Sequence, residues 1–456
     1  MSSLTSLTSA GRPERRTRSR RALRPARESV RWVLAHGIIR AFNTWQARKG
    51  SLVSRLMTDP ELRADPFPTY EQIRAQGELV GEGPFRVTCD HAVATAILRS
   101  DAFGEPAANA HFREPLHSMY LASKDDYDVG PLDPPSLLAL DPPDHTRLRR
   151  LVARDFTARR VGRMTDAIEA TTRGLLDELE LHRGEVDLVE HFAARLPVAV
   201  IADLLGVPAE DRGRLLEWGN EGAKQLDGGL GYREFRRTAR AITEMHEWMD
   251  VHLQRLRQQP GDDLLSAVLQ DVDAMPAEQR PSAAELRMLG LLVLGAGFET
   301  TVNLIGNAAV LLDRHPDQRQ RCVEDLELWA NAVDEVLRFD APVQLTGRTA
   351  VRSTSVAGRD LPEGTTVMIL LGAVNRDPEV FADPHVFDVG RRGAEAHLSF
   401  SLGAHFCLGA QLARLETRIA LRELYARFPD LRVSGEPTRR RTQVLRGYER
   451  IPVTLR

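Results

Sequence analysis

The stretch HLSFSLGAHFCLGAQLARLE, residues 397–416, sets Cys407 behind a glycine-bearing loop and two residues after His405. After it comes a run with Leu408, Leu412, Leu415, Ile419, Leu424 and Phe428 at helical spacing. A thiol at or just before a helix N-terminus meets unpaired backbone N–H groups and the positive end of the macrodipole, and both favour the thiolate. Gly403 and Gly409 remove side chains on either side, which lets something flat and bulky approach the backbone. Three chemistries use such a cysteine. A zinc centre needs three or four clustered ligands, and the sequence has no CxxC and no second cysteine nearby. A cysteine hydrolase would take His405 as its base, although that base usually arrives from a distant part of the fold. Axial ligation of haem iron needs one thiolate alone, and it suits the lone cysteine, its position and the glycines together.

Three other stretches carry residues able to do chemistry. LGAGFETT, residues 294–301, begins like a dinucleotide-binding GxGxxG at Gly295 and Gly297, but Thr300 holds the third glycine position and no strand precedes a turn. It reads instead as part of a long apolar helix. A mid-helix Gly costs about 1 kcal/mol relative to Ala and Thr can bond back to a carbonyl, so Gly297 and Thr300 predict a local distortion over a ligand. In AVDEVLRFDAPVQLTGR, residues 332–348, Glu335 and Arg338 sit at i, i+3 on an amphipathic helix. As a surface pair they would be worth only ~0.3 kcal/mol. DPPDHTRLRRLV, residues 141–152, puts His145 and Arg149 on one helix face at i, i+4. Arg147, Arg150 and Arg154 then fall on the outer side, as a basic strip able to steer an acidic partner.

The elements that must position these residues are mostly helices. Apolar spacings of three and four predict helices over 146–181, 197–206, 209–225, 234–258, 282–313 and 408–428. Shorter β-like runs lie at 79–89, 348–358, 366–371 and 442–455, the last with Gly447 as a hairpin turn. Pro and Gly clusters mark long loops at 101–143 and 372–396. Strands do not alternate with helices, so the expected class is mainly α with small β-sheets, in a single domain. A chain of 456 residues, 42% hydrophobic and 27% charged, can bury a large core. Its three cysteines exclude a disulfide framework and point to a reducing cytoplasm. Charge is uneven: residues 1–27 hold eight Arg against Glu14, in a chain of net charge −3. This predicts a basic, disordered leader over 1–28, whose SRRAL lacks the apolar segment of a twin-arginine export signal. Residues 29–56 include an amphipathic helix with Trp32, Leu34, Ile38, Ile39, Phe42 and Trp45 in one broad stripe, expected to pack on the body rather than on a bilayer. The run LGLLVLGAG, residues 289–297, is far shorter than the ~20 apolar residues of a membrane span.

Phe400, Gly403, His405, Cys407, Gly409 and the LAR of Leu412–Arg414 resemble the haem-binding loop of the cytochrome P-450 haem-thiolate monooxygenases, soluble bacterial type. The other stretches follow in that family's order, and the resemblance covers residues 57–456. It implies the cytochrome P-450 fold and heme b (iron protoporphyrin IX), with Cys407 as axial iron ligand. His145, Arg149, Arg348 and His405 would hold the haem propionates. Ala296 and Gly297 would form the oxygen groove, with Thr300 as its hydroxyl and Glu299 as the acid of a proton relay. Glu335, Arg338 and Arg391 would be a buried network supporting the cysteine loop. The implied reaction inserts one atom of O2 into a lipophilic small molecule, by hydroxylation or epoxidation. Electrons would come from a separate ferredoxin and ferredoxin reductase, since the chain has neither a complete nucleotide fingerprint nor iron–sulfur cysteine spacing. No nucleic-acid partner is implied. The substrate pocket would draw on 86–120, 215–235, Leu294, Phe298, Val343–Leu345 and Leu445–Gly447. One position departs from the pattern: Ser401 stands where the family usually has Gly, an adjustment of the loop turn. A peroxide-driven peroxygenase would share the haem residues but usually lacks the acid–threonine pair, and a non-enzymatic haem sensor would need no ordered proton relay.

Overall fold

The computed structural model describes residues 26–106 and 115–455. Its organising element is the helix Ala283–Arg314, opened by a capping box: Ser282 Oγ accepts from the Glu285 N–H, and the Glu285 carboxylate accepts from the Ser282 N–H. By length and hydropathy this helix would cross a bilayer, but 72% of its most apolar window is buried in protein, so it is a core helix. Helices Arg195–Leu204, Tyr232–Gln258, Leu328–Phe339 and Ala410–Arg427 pack around it or against one another. Their sequence periodicity explains this. In Tyr232–Gln258, Phe235, Ile242, Met245, Met249, Leu253 and Leu256 are buried at spacings of three, four and seven, while Arg233, Arg237 and Arg240 stay outside.

The sheets are small. A four-stranded sheet runs in the order Phe85–Thr88, Thr366–Ile369, Thr346–Ala350, Phe103–Gly104, with its first pair parallel. It has its own core of Leu79, Ile97, Val367, Ile369 and Leu398. A three-stranded sheet joins Glu185–Asp187, Pro452–Thr454 and Arg432–Val433.

Several elements differ from expectation. The helix expected over 146–181 is broken into Asp144–Ala153, Ala158–Gly162 and Thr165–Glu180, because Thr157 takes an extended backbone. Helices His91–Arg99 and Leu264–Ala274 were missed, being only a few turns long. Their capping acids were the readable signal: Asp90 accepts from the Val93 N–H and Asp263 from the Ser266 N–H, each at 2.8 Å. Gly447 is not a hairpin turn. The strands beside it, Tyr448–Arg450 and Pro452–Thr454, belong to different sheets, and a Cβ on Gly447 would collide with Asn303 of the central helix.

Of the leader expected over 1–28, residues 1–25 lie outside the described residues, and 26–28 already belong to a helix. That helix continues through a π-helical turn, Val33–Gly37, into Ile38–Arg48. Its first half packs on the body: Leu34 is buried, and Trp32 Nε1 donates to the Leu230 carbonyl at 2.9 Å. Its second half buries none of its residues, so the expected packing covers only part of the stripe.

Candidate active site

The cysteine loop is shaped by two left-handed residues, Ser401 (φ +60°) and Gly403 (φ +70°). Gly403 lies so close to the Leu98 carbonyl that a Cβ would collide, so only Gly fits. Ser401 adopts the left-handed turn at a cost of ~1–2 kcal/mol. Its N–H donates to the Leu398 carbonyl at 2.9 Å, and its buried Oγ has no partner. The departure noted in the sequence is therefore a strained site at which glycine is the better fit. Ser401→Gly should stabilise the protein by about 1 kcal/mol, net of glycine's entropic cost. The check is a higher urea midpoint at unchanged m. A lower midpoint would mean that the Ser401 hydroxyl contributes more than the turn costs.

The Cys407 N–H donates to the Phe400 carbonyl at 2.8 Å, and the residue is exposed, whereas Cys89 and Cys322 are buried. Burial pushes both of those thiols up to about 12. Protein surrounds Cys407 at longer range, and this desolvation pushes its thiol up as well, against the Gly409 N–H, Arg149 and Arg414. Burial thus opposes the thiolate preference expected just before a helix N-terminus, and that helix begins at Ala410. Phe400 packs under the Arg414 guanidinium at 4.6 Å. A Cβ on Gly409 would meet no protein atom within 4 Å.

Four donors come together beside this loop. His145 and Arg149 project from the helix Asp144–Ala153. The His145 ring lies 4.2 Å from that of His405, and Arg149 Nη2 donates to the Phe406 carbonyl at 2.5 Å. Arg348, buried on the strand Thr346–Ala350, places Nη1 2.8 Å from Glu105 Oε1, and His405 Nδ1 is 3.4 Å from the same oxygen. His405 Nε2 is buried without a hydrogen-bond partner, with Asp141 Oδ1 3.9 Å away. Burial first, then Arg348, His145 and Arg149, pushes the His405 imidazole down to about 3, while burial pushes Glu105 up to about 7. Both His405 nitrogens face carboxylates, so it is not placed as a base for Cys407. A donor set of two guanidiniums and two imidazoles, of which Arg348 and His405 here face Glu105 and Asp141, is chemistry for carboxylates. Among the described residues no three His, Cys, Asp or Glu side chains group to hold a bare metal ion. A haem, which takes one thiolate and presents two propionates, fits this set.

On the central helix, Ala296 is exposed and Thr300 partly so, in the middle of an otherwise buried element. Thr300 Oγ1 donates to the Ala296 carbonyl at 3.1 Å. The helix is continuous through this point. Gly297 also serves packing: a Cβ there would lie 2.6 Å from Ile201 Cδ1 on the neighbouring helix. Glu299, about 100° round the helix from Thr300, is buried. Its Oε1 lies 2.8 Å from Arg440 Nη1, while Oε2 has no partner. Burial holds this carboxyl above the usual range, with Arg440 and Lys224 opposing. Arg440 also donates to Asn220 Oδ1 at 3.1 Å, tying the C-terminal segment to the helix Arg212–Gly222. Nothing in the local run Arg439–Arg441 marks this; it reads as surface charge.

Of the residues expected to line a substrate pocket, 107–114 lie outside the described residues. Leu294 and Phe298 are buried in protein, Phe298 against Gly219. Val343 and Leu445 do meet, joined by an antiparallel bridge.

Glu335, Arg338 and Arg391 meet in the core. Glu335 accepts from Arg338 Nε at 2.7 Å and Nη2 at 2.8 Å, and from Arg391 Nε at 3.2 Å. Arg338 Nη1 donates to the Asn375 carbonyl at 3.2 Å. The Asn375 side chain in turn accepts from the Leu398 N–H and donates to Ser399 Oγ, both at 2.7 Å. Asn375, unnoticed in the sequence, is the link from this network to the cysteine loop.

The family model described as Cytochrome P450 matches residues 229–444. A putative cytochrome P450 140 of Mycobacterium tuberculosis is 44% identical over 429 residues, covering 94% of this chain and 98% of that one. The chain belongs to the cytochrome P450 family. It is also 37% identical to the 6-deoxyerythronolide B hydroxylase of Saccharopolyspora erythraea over 415 residues, 88% of this chain and 100% of the relative. The solved structure of the cytochrome P450 PksS of the Bacillus subtilis bacillaene polyketide synthase superposes with a TM-score of 0.76 at 32% identity, covering 88% of this chain and 100% of that one. As a P450 the protein is a haem-thiolate oxidoreductase of the monooxygenase class, with the mainly α fold of that family.

Proposed function

We propose that this P450 inserts one oxygen atom of O2 into a lipophilic small molecule of the polyketide class, using electrons from a ferredoxin and its reductase. The observation that carries the reading is the exposed Cys407 thiol beside four convergent donors, with the accessible Thr300 on the central helix. Heme b bound through Cys407 supplies the activation of oxygen, and thiolate donation favours O–O cleavage. Arg348, Arg149, His145 and His405 hold its propionates, in place of Glu105 and Asp141. Thr300 Oγ1 holds a proton at the reaction face, and Glu299 Oε2, kept protonatable by burial, replenishes it. Arg440 fixes the other Glu299 oxygen and so sets the direction of that relay. The acid–threonine pair favours O2 over peroxide as oxidant. The names of the two polyketide-linked relatives support the substrate class. Substrate-induced haem spectral shifts test it: 6-deoxyerythronolide B should bind more tightly than a steroid or a fatty acid, and the reverse order would overturn the class.

Thr300→Ala should leave oxygen consumption intact, while product per reductant falls about tenfold or more and peroxide rises. Unchanged coupling would remove Thr300 from the relay. The basic strip expected to steer the ferredoxin is weaker than its sequence suggests. Arg147 is ion-paired with Glu285 and Asp144, and Arg154 with Asp155 and Asp271, so much of its charge is neutralised locally.

A further inference from the structure

Five of the exposed large hydrophobic side chains, Val33, Ile38, Ile39, Phe42 and Trp45, lie on the N-terminal helix. Ile38, Phe42 and Trp45 are 44%, 46% and 51% exposed and follow one another at i, i+4 and i+7. At ~100° per residue they fall within about 60° of arc, a single outward stripe. Phe42 and Trp45 touch, with ring centroids 6.2 Å apart, and Lys49 Nζ sits 3.8 Å over the Trp45 ring at the end of the stripe. The helix is held in place from its other sides. Trp32 packs edge-on against Tyr232, Arg40 Nη1 donates to the Gly229 carbonyl at 3.3 Å, and the helix Leu52–Thr58 packs against Ile38–Arg48.

Charge singles out the same segment. From Ser29 to Thr58 there is no Asp or Glu, but there are Arg31, Arg40, Arg48, Lys49 and Arg55. Residues 1–58 hold thirteen Arg and Lys against only Glu14 and Glu28, in a chain whose net charge is −3. Arg48 and Lys49 are exposed beside the stripe.

We infer that this helix docks the enzyme on an anionic lipid bilayer, lying in the interface with Ile38, Phe42 and Trp45 among the headgroups and upper acyl chains. Aromatic and aliphatic side chains bordered by cations, with no acid in the same stretch of chain, match that surface on both counts: apolar burial and attraction to anionic headgroups. A symmetric second copy across the same stripe would bring two sets of Arg48 and Lys49 together, which like-charge repulsion opposes. An acidic protein would engage the cations but would leave Phe42 and Trp45 without a reason to be apolar.

Flotation of the full-length, haem-loaded protein with mixed phosphatidylcholine–phosphatidylglycerol vesicles, against phosphatidylcholine alone, tests the inference. The wild type should float with the anionic vesicles and be released as salt rises. The double variant Phe42→Ser/Trp45→Ser should bind about tenfold or more weakly. Both side chains are already half exposed, so the variant should fold, and an unchanged ferrous–carbon monoxide spectrum shows that it has. Trp45 gives a second readout: a blue shift of tryptophan emission on adding anionic vesicles, lost in Trp45→Phe. The inference is overturned if the wild type fails to float with anionic vesicles, or if the double variant floats equally well. It is also overturned if sedimentation without lipid shows a self-association that the double variant abolishes while lipid binding is absent, which would make the occupant a second copy.

Discussion

Glu335→Ala should destabilise the protein by about 3–5 kcal/mol and leave it unable to retain haem. Glu335 is completely buried and is the acceptor for two guanidiniums and for the Asp388 N–H, the last at 3.0 Å. Removing it leaves the fully buried Arg338 cation without a carboxylate in a space that cannot hydrate it, with the partly exposed Arg391 cation alongside. Their other partners, the carbonyls of Asn375, Ala382, Asp383, Pro384 and Val386, are all backbone groups. Backbone carbonyls cannot neutralise two cations. The damage reaches the site through Asn375, whose bonds to Leu398 and Ser399 set the entry of the chain into the left-handed turn at Ser401. Urea unfolding of the apoprotein, together with the haem-to-protein ratio after purification, measures both effects. A variant within about 1 kcal/mol of wild type would place the triad among surface-like pairs and end its role as support for the loop.

The fold class was legible because helix periodicity is local. The central helix, the helix Tyr232–Gln258 and the helix after Cys407 all begin and end within a few residues of where their apolar spacing puts them. The site was legible where a single segment carries its own meaning. Cys407, Gly403 and the pairs His145/Arg149 and Glu335/Arg338 are set by spacings of a few residues. Partners that meet across the chain were not legible. Glu105 meets Arg348 from a loop some 240 residues away, and Arg440 meets Glu299 from 141 residues away. Nothing in either local sequence encodes the encounter. Ser401 lies between these cases. Its departure from the family pattern was visible, but the left-handed backbone that gives the departure a cost needed coordinates. Gly447 was visible as a glycine and misread, because close approach to Asn303 looks the same in sequence as a turn.

The second large effect, and the most direct test of the haem-thiolate site, is at the sulfur. Cys407→Ala should abolish the thiolate-type ferrous–carbon monoxide band, whereas Cys89→Ala and Cys322→Ala should keep it. Only Cys407 is exposed, in a loop whose neighbouring donors suit a haem's carboxylates; Cys89 and Cys322 are buried, with thiols pushed up to about 12. Neither of those two can offer a thiolate to a bound metal without unfolding its surroundings. The measurement is the difference spectrum of the dithionite-reduced proteins, purified with haem, before and after carbon monoxide. A band lost in Cys407→Ala and retained in both controls is the predicted result, and a thiolate-type band surviving in Cys407→Ala would contradict the assignment.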